Sequence, residues 1–110
     1  MDVTYRVDKD ILYIAVTGRI DASNAAEAEE KIFSIKGANP GKHTVVDADK
    51  LEYISSAGLR VVLRLRKEEP QLAVINVAPD VYEIFDMTGF TEMVTVEKAY
   101  PRFRIHQEQR

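Results

Sequence analysis

Six residues, Leu72 to Val77 (LAVINV), constrain the fold more than any other stretch of this chain. Their near-continuous apolar character is that of a strand at the centre of a sheet, where side chains on both faces are covered. Helical patterns flank them. Upstream, Gly58 to Lys67 turns Leu59, Val62, Leu63 and Leu65 inward. It sets Arg60, Arg64 and Lys67 on one outward stripe at i, i+4 and i+7, and Pro70 stops the helix. Downstream, Pro79 suits the first turn of another helix, with Val81, Ile84 and Phe85 as its inner face and Gly89 at its end. Strands that alternate with helices pair in parallel through right-handed crossovers.

The rest of the chain extends this pattern. Thr4 to Val7 and Ile11 to Val16 are β-rich, and Lys9-Asp10 between them carries a hairpin turn. Thr17-Gly18-Arg19 ends the second strand. Asp21, Ser23 or Asn24 caps a first helix that runs through Ala25, Ala26, Ala28, Ile32, Phe33 and Ile35 to a stop at Gly37. Glu27, Glu29 and Glu30 fall on its solvated side, near the end where acids suit the helix dipole. His43 to Val46 is a third strand, closed by Asp47, which is placed to bond loop amides. A polar loop, Ala48 to Tyr53, leads to the second helix. Met93 to Val96 is a fifth strand. Glu97 to Arg110 is a tail with no assigned structure, although Arg102 to His106 alternates like a strand. The reading is α/β: one mixed sheet of about five strands in the order β β α β α β α β, helices packed on it. It is one domain over residues 1–110, with its core over about 4–96.

Composition removes several functions. The 110 residues suit a single domain, and 45% apolar residues are enough for a packed core. A net charge of −3 gives no basic patch for nucleic acid. The chain has no cysteine, which excludes disulfides, zinc–thiolate sites and thiol nucleophiles. No apolar run approaches the roughly 18 residues of a membrane span, and the N-terminus lacks the features of a signal peptide. The expectation is a cytoplasmic protein without direct membrane insertion. His43 and His106 have no metal-ligand spacing, so no metal and no cofactor is expected. No phosphate loop and no nucleophile motif occurs, so the chain reads as a non-enzyme.

What remains is a pair of hydroxyls, Ser55 and Ser56, where the polar loop becomes the second helix. Serine is a preferred N-cap, and capping alone would account for both. A hydroxyl at a helix start is also reachable by a partner's active site. A phosphate added there would meet backbone N–H groups and the favourable end of the dipole. It would also place nearly two negative charges in any interface built on that loop. Gly58 would let a partner's backbone approach closely.

Ile54-Ser55-Ser56-Ala57-Gly58-Leu59-Arg60, between a strand with a polar loop and a helix, resembles the STAS domain family. More narrowly, it is similar to bacterial anti-sigma factor antagonists. Thr17-Gly18-Arg19-Ile20-Asp21, Val45-Val46-Asp47 with Leu51-Glu52-Tyr53-Ile54, and Thr88-Gly89-Phe90 match further family features in order. The resemblance covers about Thr4 to Val96. It implies a partner that is both an anti-sigma factor and a serine kinase of the histidine-kinase-like ATPase type. Binding would release the sigma factor, phosphorylation of a loop serine would break the complex, and a phosphatase would restore it. Alignment on Gly58-Leu59 puts the acceptor at Ser56, with Ser55 second. The family's usual acidic residue before the acceptor is Ser55 here, and its second hydroxyl is Ala57. The docking surface implied comprises Asp21, Ser23, Asn24, Ser55, Ser56, Ala57, Gly58, Arg60 and Arg64. The loss of the acidic residue also supports an alternative: a STAS adaptor or scaffold module in a transport or signalling assembly, working without phosphorylation.

Overall fold

A computed structural model describes residues 1–99. β1 (Asp2–Asp8) and β2 (Ile11–Ile20) form an antiparallel hairpin across Lys9-Asp10, with Lys9 left-handed at φ 55°. β3 (His43–Asp47) and β5 (Ala73–Val77) follow in parallel, and β6 (Thr95–Lys98) closes the far edge. The sheet order is β1-β2-β3-β5-β6. α1 (Ala25–Ala38), α2 (Ser56–Glu68) and α3 (Pro79–Met87) make the crossovers between successive parallel strands. Because each crossover advances in the same direction, right-handedness puts all three helices on one face of the sheet. Burial alternates accordingly: Leu12, Ile14 and Val16 are covered, whereas Tyr13, Ala15 and Thr17 between them are partly open. The central run departs from strict alternation and, against expectation, is not covered on both faces: Val74 and Val77 are buried, Ala73, Ile75 and Asn76 are partly open, and Asn76, at φ 59°, lies in the register shift between Val74 and Val77.

A sixth strand lies inside the segment expected to be a polar loop. β4 (Leu51–Ile54) pairs in parallel with the C-terminal part of β2, Gly18↔Leu51 and Ile20↔Ile54. β2 does not end at Val16. It passes through a register shift at Gly18-Arg19, where Gly18 has φ 85°, and continues to Ile20. The glycine is a bulge within a strand that serves two partners in succession.

Other boundaries shift for local reasons. α1 runs through Gly37 to Ala38, and Asn39 ends it by donating its side-chain amide to the Ile35 carbonyl at 2.8 Å. Gly37 therefore does not stop the helix. α2 begins at Ser56, not Gly58. Leu59, Val62 and Leu65 of α2 are buried as expected, whereas Leu63 is only partly covered and Val61 is buried as well. The last strand is Thr95–Lys98 rather than Met93 to Val96. The alternation noted at Arg102 to His106 lies outside the described residues.

One core unites sheet and helices: Ile14, Val16, Val46 and Val74 meet Ile32 of α1, Leu59, Val62 and Leu65 of α2, and Phe85 of α3. Its one polar flaw among the described residues is Thr44, 1% exposed, whose hydroxyl has no hydrogen-bond partner. Valine has nearly the same shape without the orphaned group. Thr44→Val is therefore expected to raise stability by about 1 kcal/mol in a urea titration.

Candidate functional site

The two serines have different surroundings. Ser55 is the N-cap of α2: it is extended (φ −91°, ψ 177°), and its Oγ accepts a hydrogen bond from the Gly58 amide at 3.3 Å. Its own amide donates to the Ile20 carbonyl at 2.9 Å, which ties the helix start to the end of β2. Ser56 is the first residue of the helix and is exposed. Capping therefore accounts for Ser55 and leaves the Ser56 hydroxyl turned to solvent. Ala57 is partly covered against the core.

Gly58 has a different role from the expected one. It is buried, and a Cβ there would lie 2.6 Å from Ile54 Cγ1 and 2.9 Å from Ile20 Cγ2. Its missing side chain lets α2 settle onto β2 and β4, so it faces the core and not a partner.

The same edge of the sheet carries the turn after β2. Asp21 Oδ1 accepts from the Ser23 hydroxyl at 2.6 Å and from the Ser23 amide at 2.9 Å. These bonds, the hydroxyl's first, hold the Asp21 carboxyl below the usual carboxylate range. Asn24 occupies the N-cap position of α1, yet its side chain makes no capping bond. Its Nδ2 donates to the Arg19 carbonyl at 2.9 Å, and its Oδ1 accepts from the Asp21 amide at 2.9 Å. All three polar side chains of this turn thus brace the turn itself, directly beside Ser55 through the Ile20 bond.

Arg60 is exposed one turn beyond Ser56. Arg64, the next member of the outward stripe, is engaged: its Nε and Nη2 both donate to the Glu29 carboxylate of α1, the latter at 2.7 Å. Glu29 is thus not on a merely solvated face. The Arg64 hydrogen bonds lower the Glu29 pKa and raise that of Arg64. Since the Glu29 value is depressed on folding, its contribution is present above the unfolded carboxylate range and is lost as pH falls through the folded value. Arg64 therefore presents a neutralised fork, whereas Arg60 has no ion-pair partner among the described residues.

Two further residues of this edge have no counterpart among the expected site residues. Arg19 lies over the ring of Tyr53, 4.5 Å from its centroid, and the two are register partners between β2 and β4. Leu51-Glu52-Tyr53-Ile54, four residues with apolar ends and an aromatic, was the signal that could have found them.

A one-sided mixed sheet, with a capped helix start that exposes a hydroxyl beside a braced acidic turn, defines a small mixed α/β domain. The chain belongs to the STAS domain family, which matches residues 2–103. It is similar to BtrV of Bordetella bronchiseptica, named as an anti-sigma factor antagonist, with 32% identity over 93 residues, 81% of this chain and 79% of the relative. Its fold is shared with an anti-sigma factor antagonist from Thermotoga maritima (TM-score 0.79, 14% identity, 98% of this chain and 95% of that one). It is also shared with the Bacillus cell fate determinant SpoIIAA in its phosphorylated form (TM-score 0.62, 15% identity, 99% of this chain and 100% of that one).

Proposed function

We propose that this protein is an anti-sigma factor antagonist. It binds an anti-sigma factor that is also a serine kinase, and phosphorylation of Ser56 ends the binding. The observation that carries the reading is the division of labour in the loop: Ser55 is committed to the Gly58 amide, while Ser56 is exposed at the first position of α2. The 32% identity to BtrV supports the antagonist class. The docking surface is the Asp21–Asn24 turn, the loop around Ser56 and the outer face of α2 with Arg60.

The kinase would transfer the γ-phosphoryl group of ATP to Ser56 Oγ, releasing ADP and the hydroxyl proton. The product carries about −1.5 to −2 charge at pH 7. Docking would then have to strip water from a near-dianion, which opposes association without any change in the fold. A phosphatase would hydrolyse the ester and restore the hydroxyl.

Incubation with ATP and the cognate kinase, followed by mass spectrometry, is expected to place one phosphate on Ser56, and Ser56→Ala is expected to abolish it. No phosphate on either serine, with a complex that ignores Ser56→Asp but is lost on bulky changes along α2, would establish the unphosphorylated adaptor instead.

A further inference from the structure

We propose that Arg60 holds the phosphate on Ser56 within the same molecule, so that modification also withdraws this guanidinium from the docking face. The inference rests on the preceding assignment of Ser56 as acceptor and adds its intramolecular counter-ion.

Ser56 and Arg60 are both exposed on α2 and stand four residues apart, hence on one face, roughly 6 Å between their Cβ atoms. Helical side chains lean toward the N-terminus, so Arg60 extends over the turn that begins at Ser56. An acid at i and a base at i+4 is the favourable order of such a pair. The next residue of the stripe on the other side is Arg64, a like charge, which disfavours the opposite orientation.

Among the described residues, Arg60 is the cation of α2 best placed to respond. Arg64 is bound to Glu29, and Arg66 donates its Nε to the Met93 carbonyl at 3.0 Å. Lys67 is three turns from Ser56. The first turn of α2 holds no acidic side chain to compete for Arg60. A guanidinium also matches phosphate with two parallel N–H donors, which an ammonium does not.

The test uses the full chain with phosphoserine installed at position 56 during translation, so that no kinase is involved. The phosphorus NMR signal is followed through the second ionisation of the phosphate. Arg60→Gln is expected to move the midpoint upward by a few tenths of a pH unit, the size of an i,i+4 ion pair. Arg60→Lys is expected to move it less, and Lys67→Gln, with the same loss of charge, not at all. A midpoint equal in wild type and Arg60→Gln, or moved equally by Lys67→Gln, would overturn the proposal. If the kinase labels no serine, the preceding assignment falls, while this titration still reads the Ser56–Arg60 contact.

Discussion

Gly58→Val is expected to lower the stability of the domain by about 3 kcal/mol, a fall in melting temperature of roughly 10–20 °C for a domain of this size. The Cβ alone would stand 2.6 Å from Ile54 Cγ1 and 2.9 Å from Ile20 Cγ2. Neither neighbour can swing away. Both are β-branched, stiff at χ1, and only 2% and 4% exposed. The branched valine adds two more carbons to the same space. Either α2 lifts from β2 and β4, which uncovers core, or the isoleucines leave their rotamers. Gly58→Ala should show a smaller loss of about 1–2 kcal/mol, since the overlap is partly offset by alanine's better helix propensity. Gly37 supplies the control. It is also helical, but a Cβ there meets nothing within 4 Å. Gly37→Ala is therefore expected to gain about 0.5–1 kcal/mol. Thermal melts of the three variants check the argument: equal effects at the two glycines would mean that packing under α2 does not set the requirement.

The contrast between these glycines shows what the sequence could convey. Gly37 near the end of a helical pattern is a reasonable local stop, yet Asn39 ends the helix, because tertiary packing and a side-chain bond to Ile35 outweigh the local cost of glycine. Gly18 is similar. In one dimension Thr17-Gly18-Arg19 looks like the end of a strand. In three dimensions it is the bulge where β2 leaves β3 and takes β4 as its partner. With the strand ended there, no pairing partner remained for Leu51–Ile54, and its four residues merged with the preceding polar turn. The alternation of strands and helices was legible because each long element carries its own period of burial. The loop's relation to the Asp21 turn was legible only through the family resemblance. The Glu29–Arg64 pair was not legible at all, since it depends on how α1 and α2 lie against each other.

That same geometry separates the two serines and gives the second large expected effect. Ser56→Asp, or the phosphoserine form, is expected to weaken binding to the anti-sigma partner on the order of 100-fold in a direct titration. This is the order of penalty expected when a charge has to be desolvated in an interface. Ser55→Asp is expected to leave affinity within a few-fold. Its side chain is directed to the Gly58 amide, aspartate caps as well as serine, and an acid suits the helix N-terminus. The family's usual acidic residue at this position accords with that. The alanine variants reverse the order of consequences. Ser55→Ala removes the cap and should cost about 1 kcal/mol of stability while Ser56 remains a substrate. Ser56→Ala should leave stability unchanged and remove the phosphate. Affinity lost equally on placing aspartate at either serine would show that the interface senses the charge of the whole loop. Only a loss confined to position 56 identifies the exposed hydroxyl as the switch.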